Sequence, residues 1–241
     1  KISCERYIRR VLKTHGWEAE GNSRIDESSS SDRNVPMSPD SLKQIYTNGG
    51  DPEGTAKYAD LAADMGFGYR TLLGELLYAY ITCRPDIGYA VITLSKFSVA
   101  PAKIHYVLLK NVAKYLRRTI DWGLIYRKTI PDPSMAIGER PSLVLPADLP
   151  EFPTPSSPIQ LTCYVDAAHG NELTRRRSTT GYAFVLCGAA VSYRTKTQSI
   201  TATSSTEAEF LAAVLAAKHS KYLRAILKEL GFSQDGPTPI Y

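Results

Sequence analysis

Hydrophobic positions repeat at two different periods along the chain. In residues 2–17 they recur every three or four positions, which predicts an amphipathic helix with Cys4, Ile8, Val11 and Leu12 on its buried face. The same period predicts three further helices, over residues 68–82, 84–98 and 101–119. The last two begin near a proline, which the first turn of a helix tolerates because its N–H groups are unpaired there. A short strand is predicted over residues 123–128.

The period changes to two in the last third of the chain. Alternating positions predict strands over residues 159–168, 180–188 and 189–198, with a tight turn at Gly188. Residues 205–230 return to the helical period, as one helix or as two helices broken near His219. Gly231 suits a helix C-terminus, and residues 239–241 (PIY) are typical of the start of a strand. This order predicts a mixed α/β fold.

Two polar stretches separate these regions. Residues 26–34 (DESSSSDRN) predict a flexible loop, and residues 38–44 a short turn of helix. Eight of the chain's fifteen prolines lie between Pro131 and Pro158, which indicates an extended linker over residues 131–159. We therefore predict three segments: a helical segment over 1–130, the linker, and an α/β domain over 160–241.

Composition narrows the function classes only slightly. The 241 residues carry a net charge of +5, which is compatible with nucleic-acid binding and equally with an ordinary soluble protein. The four cysteines form no CxxC pair, which argues against a zinc or redox motif and indicates a reducing compartment. Cys163 and Cys187 lie in apolar runs and are predicted to be buried. We expect no membrane span and no signal peptide, and since the chain begins at Lys1 within a helical pattern, we expect a fragment.

Three acids stand out for their positions. Ser204 and Glu207 form a capping box, in which Ser204 accepts from the amide of Glu207 and Glu207 reaches back to the amide of Ser204. Glu209 has no such structural explanation. Asp166 interrupts an apolar strand near its C-terminal end. It either caps a turn there or joins Glu209 in binding a divalent metal, for which carboxylates are the preferred ligands. His169 and His219 have no partner at metal-ligand spacing.

Residues 161–232 (from LTCYVDAAHG through RRSTTGYAFVLCGAAVSYRTKTQ to SSTEAEF and KELG) resemble the ribonuclease H domain of copia-type retrotransposon polyproteins. Residues 69–97 (YRTLLGELLYAYITCRPDIGYAVITLSKF) are similar to the end of the reverse transcriptase region of the same family. The segments ISCERYI and NVPM resemble the stretch after its polymerase palm. Residues 130–160 match least.

The resemblance implies a thumb- or connection-like helical segment followed by a ribonuclease H-like mixed sheet with helices, truncated before the family's third and fourth carboxylates. It implies hydrolysis of RNA in RNA–DNA hybrids with Mg²⁺ or Mn²⁺, two ions in the complete domain. Asp166 matches the first-strand aspartate, which would bridge both ions, and Glu209 matches the helix glutamate. Partners would be the hybrid and the rest of the reverse transcriptase polyprotein, inside the cell in a cytoplasmic particle or the nucleus.

Basic residues fall into two groups. On the fourth predicted helix, one face carries Lys103, Lys110, Lys114, Arg117 and Arg118, either as a solvated face or as a phosphate-binding face that no acid neutralises. The second group is Arg175, Arg176 and Arg177 in the loop after the Asp166 strand, either as plain surface residues or as a phosphate-binding cluster. Lys196 and Gln198 follow on the third strand and are expected to be surface residues, with phosphate contact as the alternative for Lys196.

With half of the carboxylate set, this chain alone is expected to be inactive as a ribonuclease H-type hydrolase. The rival interpretation from another class is a nucleic-acid-binding or assembly module that has lost catalysis. The flanking sequence would distinguish them, since an aspartate soon after Tyr241 and another acid downstream would favour an enzyme.

Overall fold

A computed structural model describes residues 1–18, 35–38, 41–46, 49–127 and 159–241. The predicted loop at 26–34 and nearly all of the predicted linker at 131–159 lie outside these ranges. The chain forms two compact units, an N-terminal unit of Ile2–Leu124 and a C-terminal unit of Ile125–Glu172 and Arg176–Tyr241. Within the described residues, no helix is both long and apolar enough to cross a bilayer.

The N-terminal unit is helical. Its elements are α1 (Glu5–Thr14), α2 (Ser41–Ile45), α3 (Ala56–Met65), α4 (Tyr69–Cys83), a 3₁₀ turn (Pro85–Ile87), α5 (Gly88–Ser95) and α6 (Lys103–Arg118). The C-terminal unit contains β1 (Thr162–Glu172), β2 (Arg177–Leu186), β3 (Ala189–Thr197) and α7 (Ser205–Glu229). The prediction of a mixed α/β protein is confirmed.

Helical periodicity located most of the N-terminal unit correctly. The predicted apolar face of α1 is buried, including Ile8 and Leu12, and Leu109 and Val112 of α6 are buried as well. The helix predicted from Pro85 begins as a 3₁₀ turn. Sequence reasoning missed α3, although it has clear end signals: the Thr55 hydroxyl accepts from the amide of Tyr58, and Gly66 ends the helix in the left-handed conformation.

Two glycines of the N-terminal unit give a matched test of its packing. A Cβ added to Gly88 would lie 2.5 Å from the Tyr80 ring, whereas one added to Gly74 on α4 would meet nothing within 4 Å. We expect Gly88→Ala to lower the free energy of unfolding by about 1–3 kcal/mol through overpacking. Gly74→Ala should raise it by about 0.5–1 kcal/mol, because alanine is the better helix former. Urea unfolding measures both, and a neutral Gly88→Ala would contradict this packing.

The strand predicted over residues 123–128 is wrong for the residues that the structure describes. Only a single bridge forms there, between Leu124 and Ile2. Beyond it, the Arg127 amide donates to the Cys187 carbonyl and the Tyr126 hydroxyl donates to the Ala190 carbonyl. These bonds attach the segment to a hairpin without making it a strand.

The three predicted strands of the C-terminal unit are confirmed as antiparallel neighbours in the order β1-β2-β3. The turn between β2 and β3 is Cys187–Gly188, both with positive φ (55° and 82°), as a tight hairpin requires. Cys187 is therefore half-buried in a turn, which corrects its predicted burial in a strand. Cys163 is fully buried as predicted.

The chain returns to the sheet at its C-terminal end. Ile240 bridges Cys163 in parallel, and hydrogen bonds join the Cys163 amide to the Pro239 carbonyl and the Val165 amide to the Tyr241 carbonyl. Residues 239–241, which were predicted to start a strand, thus lie along the edge of β1 that β2 leaves free. Because this bridge is parallel while β1 and β2 pair antiparallel, the pairing of β1 is mixed.

Helix α7 is continuous over 25 residues, so the alternative of a break near His219 is wrong. Ala208, Ala212 and Ala216 recur every four residues and are fully buried, which allows the helix to approach β1 and β2 closely. Gly231 caps it as predicted, with φ 84° and its amide donating to the Lys228 carbonyl.

Candidate functional site

Asp166 lies in the middle of β1, because the strand continues to Glu172 and does not end soon after the acid as the sequence suggested. It pairs with Gly181 of β2 and is exposed. Successive strand residues point to opposite faces, and Cys163, Val165 and Ala167 pack in the clusters that include α7. Alternation therefore turns the Asp166 side chain away from that packed layer and toward solvent.

The first turn of α7 separates the two glutamates by role. Ser204 Oγ accepts from the Glu207 amide at 3.1 Å, as the capping box predicts. The Glu207 carboxylate accepts hydrogen bonds from the amide and the hydroxyl of Thr203, at 2.6 and 2.7 Å. The capping box predicted the amide of Ser204 as the donor, so the observed donor is the residue before it. These hydrogen bonds from Thr203 lower the pKa of Glu207. Glu207 is thus engaged in capping, and Glu209 is exposed with no hydrogen bond or ion pair described.

A small alanine cluster brings the backbones of the two candidate acids to the same end of the unit. Ala167, which follows Asp166, packs with Ala208, which precedes Glu209. Ala202 and Ala212 complete this cluster. Small side chains at all four positions allow β1 and the first turn of α7 to lie close together. Only the backbones are shown to lie close together, because Asp166 leaves β1 on the sheet face opposite to the one that α7 covers. The sharing of one metal ion by the two carboxylates therefore stays a prediction.

Asp166 and Glu209 are both carboxylates, and carboxylate oxygens are the ligands that a hard cation such as Mg²⁺ prefers. Among the described residues, no group of three or more His, Cys, Asp or Glu side chains is placed to hold a metal ion. Asp166 and Glu209 could therefore contribute at most two protein ligands from this part of the chain.

On the predicted basic face of α6, several side chains contact other residues of the protein and are less available to a ligand than the sequence suggested. Lys103 forms an ion pair with Asp64 at 3.0 Å, so the prediction that no acid neutralises this face is wrong at that position. Lys110 lies over the Trp17 ring at 5.6 Å and is half-buried, as are Lys114 and Arg117. Arg118 is exposed.

The other predicted basic residues lie on or beside β2 and β3. Arg175 and Arg176 are exposed in the turn between β1 and β2, with Arg176 at φ 54°, and Arg177 begins β2 half-buried. Lys196 is exposed on β3. Gln198 is buried to 8% exposure, which corrects the expectation of a surface residue.

The structure also reveals an aromatic–basic surface that sequence reasoning missed, formed by Arg6, Tyr7 and Arg10 of α1 and Tyr78 of α4. The two tyrosine rings lie 4.6 Å apart, and the Arg10 guanidinium lies 5.2 Å from the Tyr7 ring centroid. Tyr78 is 56% exposed, and no ion pair is described for either arginine. The i, i+4 spacing of the arginines was visible in the sequence, but the pairing with Tyr78 was not.

Comparison with known proteins gives relatives over about two thirds of the chain. It is 33% identical over 166 residues to the retrovirus-related Pol polyprotein from transposon TNT 1-94 of Nicotiana tabacum, covering 69% of this chain and 10% of that protein. It is 29% identical over 173 residues to the corresponding polyprotein from transposon RE2 of Arabidopsis thaliana, covering 72% and 10%. The chain thus spans about a tenth of these polyproteins.

A third relative is much shorter. The chain is 33% identical over 155 residues to the secreted RxLR effector protein 161 of Plasmopara viticola, covering 64% of this chain and 90% of the effector. No family model matches the chain, and no solved structure gives a significant match.

Proposed function

Because this chain belongs to the copia-type retrotransposon Pol polyproteins, we propose that its C-terminal unit is the beginning of a ribonuclease H-like domain and its N-terminal unit the end of a reverse transcriptase region. The order of elements in the C-terminal unit carries this proposal. Three antiparallel strands are followed by a long helix packed on the first strand, and the chain then returns parallel to that strand. An exposed acid lies on β1 and another in the first turn of the helix.

The activity proposed for the complete polyprotein is hydrolysis of the RNA strand of an RNA–DNA hybrid. Asp166 and Glu209 would hold Mg²⁺ or Mn²⁺ together with carboxylates from the rest of the domain. When bound, such ions activate water and stabilise the leaving oxygen in phosphodiester cleavage. Within the described residues, the carboxylates of Asp166 and Glu209 form no hydrogen bond or ion pair, whereas the Glu207 carboxylate accepts hydrogen bonds from Thr203. That difference supports Glu209 as the ligand.

The N-terminal unit would bind the nucleic acid through the aromatic–basic surface. Arginines supply the phosphate contacts that dominate affinity for nucleic acid. Exposed aromatic rings such as Tyr78 offer a flat face for sugars or bases. This surface is a better candidate than α6, where Lys103 is paired with Asp64 and where Lys110, Lys114 and Arg117 are half-buried.

A second candidate function is nucleic-acid binding or assembly without catalysis. It is favoured by the absence of a three-carboxylate cluster among the described residues. Both candidates require binding of nucleic acid, and they differ only in whether hydrolysis follows.

Binding to a labelled RNA–DNA hybrid tests the proposal. The double variant Arg6→Gln/Arg10→Gln should weaken binding and reduce the slope of log K against log salt by about 1.8, since each phosphate contact contributes about 0.9. Arg9→Gln is the matched control, because Arg9 lies on the same helix but is paired with Glu5 at 2.9 Å. An unchanged slope in the double variant, or an equal change in the control, would exclude this surface as the binding site.

A further inference from the structure

Helices α1 and α4 of the N-terminal unit pack side by side in opposite directions. Early in α1, the Tyr7 ring lies 4.6 Å from the ring of Tyr78, which belongs to the second half of α4. Just after α1, the Trp17 ring lies 5.4 Å from the ring of Phe67, which precedes α4. The start of α1 therefore faces the end of α4.

This antiparallel packing places two cysteines opposite each other. Ile8 and Ala79 line the same small apolar cavity between the helices. Cys4 lies four residues before Ile8, and Cys83 lies four residues after Ala79, so about one helical turn separates each cysteine from that cavity. A hydrogen bond joins the two thiol groups. Both cysteines are buried as free thiols, which makes them a pair within reach of a disulfide bond.

The surroundings of this pair keep it reduced under ordinary conditions and leave one thiol the easier to reach. Burial and the neighbouring Cys83 thiol raise the pKa of Cys4 well above its usual range, so both groups stay protonated in a reducing compartment. Cys4 is 7% exposed, against 1% for Cys83. Cys4 is also the N-cap of α1 and provides no capping hydrogen bond. Because helix ends open more readily than helix centres, an oxidant meets Cys4 first.

We propose that Cys4 and Cys83 form an oxidation site, at which a peroxide converts the two thiols into a disulfide that joins the start of α1 to the end of α4. This inference is independent of the proposed function, since nucleic acid takes no part in it. The bond closes a long loop between the two helices, and such a constraint stabilises the folded state mainly by restricting the unfolded chain.

The reaction takes place in two steps. The Cys4 thiolate attacks one oxygen of hydrogen peroxide, the O–O bond breaks, and Cys4 becomes a sulfenic acid as hydroxide leaves. The Cys83 thiolate then attacks the Cys4 sulfur, so that the S–S bond forms and the S–O bond breaks with loss of a second hydroxide. The two thiol protons combine with the two hydroxides to give water. The thiols are thereby oxidised and the peroxide is reduced.

Mass spectrometry and thermal unfolding of the full chain test this proposal. After treatment with hydrogen peroxide, the intact mass should fall by two hydrogen atoms, and a non-reducing digest should contain a peptide that links Cys4 to Cys83. The unfolding midpoint of the N-terminal unit should rise by about 5–10 °C. Tryptophan fluorescence reports this midpoint, because both tryptophans, Trp17 and Trp122, lie in that unit. A reducing agent should reverse both changes.

Two variants distinguish the pair from the other cysteines. Cys83→Ala should lose the mass change and the rise in midpoint, and comparison with its own reduced form removes any effect of the substitution on folding. Cys187→Ala is the matched control and should respond like the wild type, because it keeps the pair. Recovery of Cys4 and Cys83 as free thiols, or as singly oxidised residues without a link, would overturn the inference. An equal rise in midpoint in Cys83→Ala would overturn it as well.

Discussion

Replacing Arg84 with methionine is expected to lower the free energy of unfolding of the N-terminal unit by about 3–5 kcal/mol, because it breaks a buried ion pair. Arg84 is 1% exposed. Its guanidinium donates to both carboxylate oxygens of Asp86, at 2.7–3.2 Å, and to the Thr119 carbonyl at 2.9 Å. The same group donates to the Thr119 hydroxyl and lies over the Tyr115 ring. Methionine preserves much of the volume and removes every one of these bonds.

The charges around Arg84 explain why its loss is costly. Burial alone would lower the pKa of Arg84, but hydrogen bonding and the charge of Asp86 outweigh it and raise the pKa. Asp86 also accepts from the Tyr115 hydroxyl at 2.9 Å. Without Arg84, the 3₁₀ turn that carries Asp86 would keep the hydrogen bond from Tyr115 but lose its link to Thr119, the residue after α6.

The control for Arg84 is Arg9→Met. Arg9 pairs with Glu5 on the surface of α1, and exposed pairs at this spacing contribute only about 0.3–0.5 kcal/mol. Denaturant unfolding followed by fluorescence of the N-terminal unit compares the two variants. Equal losses, or a loss below about 1 kcal/mol for Arg84→Met, would show that the buried network contributes little.

The second large effect concerns the two candidate acids. If Asp166 and Glu209 share a divalent ion, Mg²⁺ at ten times its dissociation constant should raise the free energy of unfolding by about 1.4 kcal/mol, since the ion binds only the folded state. Asp166→Asn and Glu209→Gln should each abolish that increase. Without metal, either variant should be slightly more stable than the wild type, because two like charges repel.

Glu207→Gln is the matched control for this pair. Glu207 lies only two residues before Glu209, but its carboxylate accepts hydrogen bonds from the amide and hydroxyl of Thr203. Its substitution should lower the free energy of unfolding by less than the roughly 1 kcal/mol that a complete helix cap contributes. It should leave the response to Mg²⁺ intact. Thermal melts with and without Mg²⁺ separate the two effects. Loss of the response in Glu207→Gln but not in Glu209→Gln would reverse the assignment.

Patterns local in sequence predicted the elements well. The period of two placed all three strands, the period of 3.6 placed α1, α4, α6 and α7, and Gly231 marked the end of α7. These features depend on neighbours within a few residues, which a single sequence displays directly. The copia-type resemblance added the positions of Asp166 and Glu209, which periodicity could only mark as unusual.

Features that depend on distant contacts were beyond the sequence. Arg84 is buried where its guanidinium donates a hydrogen bond to the Thr119 carbonyl, and Thr119 lies 35 residues further along the chain. Gln198 appeared to belong to a polar surface strand, yet its amide is fixed by Thr180 and Ala208 on two other elements. The same holds for Tyr7 and Tyr78, which meet only because α1 and α4 pack together. In each case the partner, and therefore the burial, is set by tertiary packing.

Paramagnetic broadening by Mn²⁺ in an NMR spectrum of the full chain tests whether Asp166 and Glu209 form one metal site. Mn²⁺ replaces Mg²⁺ at oxygen ligands and broadens the signals of amides close to it. We expect substoichiometric Mn²⁺ to broaden the amides of Ala167 and Ala208 together, and Asp166→Asn to remove both effects. Broadening of only one of these two amides, or broadening that survives in Asp166→Asn, would contradict a metal site shared by Asp166 and Glu209.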